Sequence, residues 1–277
     1  MTIASDGVIS DVANGVSISN DGSIYITGYT NTVTSNAAGG RIFITGDGTT
    51  ITTSAGTLNI TGNTSTVTTA NGAVNMTGTN TVTTASSRVS MSGINTITTA
   101  NGTVTASIVN MTGTNTVTTA SSRVSMSGIN TITTANGTVF VTGHANTITS
   151  NAGNVWMSGK TSTVTNADGG DVFITGNTST VTNADGGRIF ATGNTFTVTN
   201  SNGGDILVTG GSSVISNVSG GRIFTTGDST TISINSGIIN ITGATATVAN
   251  NYGSVQNLSD TVYNVTGGVN YFQASGA

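Results

Sequence analysis

Val172-Phe-Ile-Thr-Gly-Asn-Thr-Ser-Thr-Val-Thr-Asn-Ala-Asp-Gly-Gly-Arg188 is followed directly by Ile189-Phe-Ala-Thr-Gly-Asn-Thr-Phe-Thr-Val-Thr-Asn-Ser-Asn-Gly-Gly-Asp205. The two stretches align without a gap at a spacing of 17 residues. Each carries an apolar-x-apolar run closed by Thr-Gly, then a Thr-x-Thr run, then a Gly-Gly corner. Alternation with period two, in short runs separated by Gly, is the pattern of β-strands joined by tight turns. A unit this short has no room for a helical crossover, and it cannot bury its apolar face alone. Stacking on its neighbours does that, so the pattern predicts a coil of a β-solenoid.

The same unit extends in both directions. Repeats start at Ile24, Ile42, Leu58, Val74, Val89, Val109, Val124, Val139, Val155, Val172, Ile189, Ile206, Ile223, Ile239 and Val255, with spacings of mostly 15–17 residues. Residues 74–104 recur identically as 109–139. The reading is an all-β chain: a flattened, two-sheet parallel β-solenoid of about fourteen coils over residues 24–254, an N-terminal cap over 1–23 and a C-terminal cap or tail over 255–277.

Strand alternation then assigns the faces. In the first strand, positions 1 and 3 point inward, giving a Val/Ile column and a second column that includes Met76, Met91, Met111, Met126 and Met157. In the second strand the residue between the two threonines points inward, as Val67 and Val181 do. A polar column follows it, from Ser35 and Thr53 to Asn166, Asn183, Asn200 and Asn217. Stacked amides and hydroxyls there are expected to bond to their copies one coil away.

Composition excludes several functions. Only 6% of residues are charged, against a usual ~25%, and Lys160 is the single lysine, so there is no basic stripe for nucleic acid. No apolar run reaches the ~18 residues of a membrane span. Met1 to Gly15 has no basic stretch followed by an apolar one, so no classical signal peptide is read there. The expected setting is extracellular, or surface- or virion-associated. There is no cysteine. His144 is the only histidine and has no Ser, Cys or carboxylate at a motif spacing, so no catalytic site, metal or cofactor is expected. Asp168 and Asp185 sit in Asn-Ala-Asp-Gly-Gly corners that lack the calcium nonapeptide of other solenoids. Asp171, Arg188, Asp205 and Arg222 hold one position in four successive coils, which predicts a ladder of opposite charges that fixes register.

Two outward surfaces stand out. Phe140, Trp156, Phe173, Phe190 and Phe224 share position 2 of the first strand, with Leu207 between the last two, and form an apolar stripe. Such a stripe marks a contact surface, for a second copy of the chain, for the chain's own terminus, or for carbohydrate or another ligand. On the other sheet, eleven consecutive repeats keep both threonines of Thr-x-Thr: Thr32 and Thr34, Thr50 and Thr52, Thr66 and Thr68, Thr81 and Thr83, Thr96 and Thr98, Thr116 and Thr118, Thr131 and Thr133, Thr147 and Thr149, Thr163 and Thr165, Thr180 and Thr182, Thr197 and Thr199. Threonine suits an exposed strand, but Val, Ser, Lys or Tyr would serve equally, and position 2 of the other sheet does vary.

In these Thr-x-Thr ranks the chain resembles the β-solenoid antifreeze proteins and, more loosely, the ice-nucleation proteins with their 16-residue repeats. The resemblance covers roughly residues 24–250 at the level of the pattern. It lacks the cysteine pairs of the insect antifreeze proteins and the Gly-Ser-Thr octets of the nucleators. It implies that the threonine columns order water and bind ice. The alternative expectation is a structural fibre, phage or cell-surface filament subunit that self-associates through the aromatic stripe or the coil ends.

Overall fold

The computed structural model describes residues 14–15, 17–19, 23–35, 40–99, 108–119, 123–135, 137–150, 153–166, 169–183, 186–201, 204–218, 220–243, 246–257, 264–265 and 269–272. Most of both expected caps, and Asp168 and Asp185, lie outside that set. The described residues are all β, with no helix, and hence none long and apolar enough to cross a membrane. The chain divides into a unit ending at Thr134 and a unit beginning at Ala135. Each is a parallel β-solenoid.

In both units, first strands pair only with first strands and second strands with second strands, one coil apart. In the first unit Arg41–Thr45 pairs with Thr57–Thr61 at Ile42↔Leu58, and Thr50–Thr53 pairs with the next second strand at Thr50↔Thr66. In the second unit Val155–Ser158, Val172–Thr175 and Ile189–Thr192 align at Val155↔Val172↔Ile189, and the following second strands at Thr163↔Thr180↔Thr197. The solenoid has about 11 turns, somewhat fewer than the about fourteen read from spacing. Over residues 65–134 the strand runs on through the corner in four long elements, Ser65–Thr77, Asn80–Thr99, Ile108–Thr119 and Arg123–Thr134, and the repeats still stack in register at Val74↔Val89↔Val109↔Val124.

The core is three inward columns, as the alternation requires. Ile42, Val155 and Ile189 represent the first, Ile44, Met157 and Ile174 the second, Val67, Ile148 and Val181 the third, and all are buried. Met76, Met126 and Met157 are each 3% exposed, which fixes the register and therefore the identity of both outer faces. Met91 and Met111 align with Met76 and Met126 along the backbone, but their side chains lie outside the described residues.

The expected amide ladder is present in the second unit. Asn166 donates from Nδ2 to Oδ1 of Asn183 at 3.2 Å, and Asn183 and Asn200 donate onward to Asn200 and Asn217 at 3.4 Å. Shorter bonds within the corner anchor it, from Asn166 to the Gly170 carbonyl at 2.7 Å and from Asn200 to the Gly204 carbonyl at 2.8 Å. A second buried polar column occupies the opposite corner, just before Thr-x-Thr: Asn31, Thr49, Ser65, Asn80, Asn130, Asn146, Ser162, Ser179 and Ser213. Its side chains accept from the backbone one coil back, Asn146 N–H donating to Ser162 Oγ and Ser162 N–H to Ser179 Oγ.

Both corners rest on glycine for two reasons. The first is the positive φ that tight corners need: Gly159, Gly176, Gly193 and Gly210 have φ of 157°, 148°, 137° and 145°, and Gly169, Gly186 and Gly220 have φ of 62°, 66° and 68°. The second is close approach. Gly227 carries no positive φ, yet a Cβ there would overlap the carbonyl oxygen of Gly210 one coil back. At these corners glycine stands on glycine because the backbones approach too closely for any side chain. Positive φ recurs two residues after Gly159, Gly176 and Gly193, there on a β-branched residue: Thr161, Thr178 and Thr195 have φ of 55°, 58° and 62°. Gly227→Ala is therefore expected to cost about 2–4 kcal/mol, because backbone must shift. Gly220→Ala, at φ 68° with open space around its Cβ, should cost about 1 kcal/mol. Denaturant melts of the two variants separate close approach from dihedral strain.

One coil breaks the pattern at two positions. Phe196 occupies the buried polar column between Ser179 and Ser213 and is 1% exposed. In the same coil the second apolar column shrinks to Ala191, where the flanking coils hold Ile174 and Val208. If the ring fills the volume left by the smaller Ala191, the two positions are energetically coupled. Phe196→Ser alone should destabilise by about 3 kcal/mol through the cavity it leaves. Combined with Ala191→Ile it should cost less than the sum of the two single changes, and a double-mutant cycle showing strict additivity would disprove the compensation.

Candidate functional site

The threonine face is built by the second strands. In the first unit the described pairings run Thr32↔Thr50↔Thr66↔Thr81 and Thr34↔Thr52↔Thr68↔Thr83, then Thr96↔Thr116↔Thr131 and Thr98↔Thr118↔Thr133. In the second unit they run Thr147↔Thr163↔Thr180↔Thr197 and Thr149↔Thr165↔Thr182↔Thr199. Every threonine of these ranks whose side chain is described is exposed, except Thr182 and Thr199, which are half-buried. The side chains of Thr96, Thr98 and Thr116 lie outside the described residues. The arrangement is a double file of hydroxyl and methyl groups at about 4.8 Å along the stack and about 6.7 Å along each strand. No charged side chain stands within either file.

The double file ends at Thr197 and Thr199. After Thr197 and Thr199 the ladder continues to Val214 and Ser216, and Val214 is 41% exposed. The next coil carries a bulge. Ser216 pairs with Ile234 instead of Ser233, and the extra residue is absorbed before Asn217↔Asn235 restores register. Thr-x-Thr is thus lost one coil before the bulge, on a strand that still pairs in register with Thr197–Asn200.

The outer face of the first-strand sheet in the second unit is different. Phe140, Trp156, Phe173 and Phe190 stack in a row, with ring centroids 4.9, 5.3 and 4.7 Å apart and interplanar angles of 12°, 4° and 2°. Leu207 and Phe224 continue the column through Phe190↔Leu207↔Phe224. Because the rings cover one another's faces, the stripe presents ring edges to solvent. Face-on stacking of a sugar is blocked along most of it. In the first unit Tyr25 and Phe43 stack in the same way at 4.9 Å, and the column then turns to Asn59 and Asn75, whose amides bond at 3.0 Å.

The charged ladder lies two residues before the aromatic column, on the same face. Arg188 grips Asp171 through Nε and Nη2 at 3.2 and 2.6 Å, and Arg222 grips Asp205 at 3.0 and 2.6 Å. The four charges therefore resolve into two bidentate pairs. Each guanidinium also lies over its own coil's ring, Arg188 at 5.7 Å from Phe190 and Arg222 at 5.8 Å from Phe224. This link of charge and aromatic was missed in the sequence. The signal that could have found it was the spacing of two, which puts Arg188 and Phe190 on one face of a strand.

His144 is exposed at a corner, and its Nδ1 accepts the Lys160 N–H at 3.2 Å. It continues a corner habit in which a side chain caps the backbone N–H one coil on, as Asn177 Oδ1 does for Asn194 and Asn194 Oδ1 for Gly211. The residue thus has a structural task. Among the described residues no three His, Cys, Asp or Glu side chains gather as a metal site would need. Compared with protein-family models, with curated proteins and with solved structures, the chain matches none of them.

The hydrogen bonds from Arg188 and Arg222 hold the Asp171 and Asp205 carboxyls below their ordinary range, against a smaller opposing effect of burial. A carboxyl depressed in the folded state stabilises above its unfolded value, about 3.9, and loses that contribution as pH falls through its folded value. The Asp171→Asn, Asp205→Asn double variant should therefore melt below the parent at pH 7, and the gap should close as pH falls below about 4. Thermal melts across that range check it, and a gap independent of pH would remove the ion pairs as its cause.

Proposed function

We propose that this protein is a non-catalytic ice-binding β-solenoid whose ligand surface is the Thr-x-Thr face. The observation that carries the reading is the in-register double file of exposed threonines, present in each unit and broken by no charge. Such a surface offers hydroxyls and methyls at fixed two-dimensional spacing on a backbone whose every rung is hydrogen-bonded. Adsorption to a crystal, or to water ordered like one, depends on many weak contacts forming together. A rigid array forms them with little ordering cost. The resemblance to the Thr-x-Thr antifreeze solenoids supports the same ligand, and the expected partner is ice or the ordered water on it.

A second reading, a structural fibre, phage or cell-surface filament subunit, draws on one observation: the stacked aromatic stripe on the opposite sheet. On either reading the place of action is extracellular or at a surface.

Thermal hysteresis and ice shaping by the purified protein decide between them. Thr131→Tyr and Thr165→Lys, one in each unit, interrupt the lattice at exposed positions. They should abolish most of the hysteresis and change stability by no more than about 0.5–1 kcal/mol. Ser125→Lys, on the other sheet, should leave activity intact. A parent protein with no hysteresis at high concentration, and with filaments visible by electron microscopy, would replace ice binding with the fibre reading.

A further inference from the structure

We infer that the aromatic face of the second unit is a homodimer interface, in which a second copy docks face to face with its solenoid axis antiparallel. Three features of the face lead there. It is flat: Trp156, Phe173 and Phe190 stack with interplanar angles of 4° and 2°, so successive coils are barely rotated. It is apolar along its centre, where side chains are half-buried and edge-on. It is flanked by one column of alternating charge, Asp171, Arg188, Asp205 and Arg222, on the N-terminal side of the strands.

That alternation selects the symmetry. A two-fold axis parallel to the strands sets each column opposite itself and reverses its order. With the axis midway between the coils of Arg188 and Asp205, Arg188 meets Asp205 of the second copy and Asp171 meets its Arg222. All four contacts join opposite charges. The same operation sets Phe190 against Leu207 and Phe173 against Phe224. Moving the axis half a coil places Arg188 on Arg188 and Asp171 on Asp205, so the charges exclude that register. A two-fold along the solenoid axis would lay the charges on the uncharged far side of the strand, at Thr192 and Thr209, and leave them unanswered. The guanidinium side chains are 57% exposed in the single chain, so both remain open to a partner carboxylate.

The area sets the strength. The matched patch is about four coils by five residues, roughly 300–400 Å² on each copy. A stable interface takes about 800 Å² per partner. The dimer is therefore weak and concentration-dependent, and salt weakens it further. The threonine face lies on the other sheet and stays open, so the dimer carries threonine files of the second unit on two opposite sides. This inference is independent of what those files bind.

Sedimentation equilibrium from about 10 µM to 1 mM, at low and at high salt, tests it. The expected result is a monomer–dimer equilibrium that high salt shifts to monomer. Arg188→Asp and Asp205→Arg should each abolish dimerisation, because each sets like charges together twice across the axis. Mixing the two variants should restore a heterodimer, since aspartate at 188 then faces arginine at 205 and the native pair faces itself. Phe173→Ser should abolish it as well, with circular dichroism unchanged. A parent chain that stays monomeric to 1 mM, as it would if its own terminus covered the stripe, overturns the inference. So does a dimer indifferent to both charge reversals, or a variant mixture that stays monomeric while each variant remains folded.

Discussion

Glycine standing on glycine at both corners is the constraint on which the rest of the structure depends. At Gly159, Gly176, Gly193 and Gly210 a Cβ would collide with the carbonyl of the glycine one coil back, and the same holds at the opposite corner for Gly153, Gly170, Gly187 and Gly204. With both corners held this close, each strand is placed squarely over its predecessor and the ladder hydrogen bonds repeat without slip. Register then propagates outward. Valine lies on valine, asparagine on asparagine, phenylalanine on phenylalanine, and every column becomes a one-dimensional interaction. The ring stacks, the amide ladder and the threonine files all follow from the same alignment.

Much of this was legible in the sequence because alternation and spacing report backbone directly. The Val/Ile and Met columns, the outward threonines and the outward aromatics required only period-two reading within a repeat of known length. What was not legible depends on closeness between coils. Corner glycines look alike whether they serve a dihedral or a contact, and Gly227 shows that contact alone can require one. The buried column at Ser162 and Ser179 was missed because small polar residues at a corner also fit a solvated turn. The bulge at Ser233 was missed because the repeat starts Ile206, Ile223 and Ile239 keep spacings of 17 and 16, so an extra residue within the second strand does not show in the repeat length. Spacing alone also does not show a strand running on through its corner, as Asn80–Thr99 does.

The two outer faces obey different rules, and that contrast bears on function. A residue on an outer column touches its copies above and below and little else, so the fold tolerates many side chains there. The first-strand face uses that freedom. It holds Tyr25 and Phe43, changes to Asn59 and Asn75, and returns to a long aromatic run after residue 139. Each choice is internally consistent, since rings stack on rings and amides bond to amides.

The second-strand face does not use the same freedom. The internal repeats present one position eleven times, two of them within the identical copy of residues 74–104 at 109–139. Both threonines are kept in all eleven, across coils of 15, 16 and 17 residues whose cores alternate among valine and isoleucine. Stacking alone does not explain this, because amide ladders and aromatic stacks satisfy the same backbone a few ångströms away on the opposite sheet. β-propensity does not explain it either, because valine, isoleucine and tyrosine meet it as well. On the ice-binding reading proposed above, a requirement shared by these eleven coils and absent from the other face acts from outside the fold, on the surface as a lattice. A ligand that is itself periodic and extended imposes that kind of requirement, whereas a compact ligand would fix only the few coils it touches.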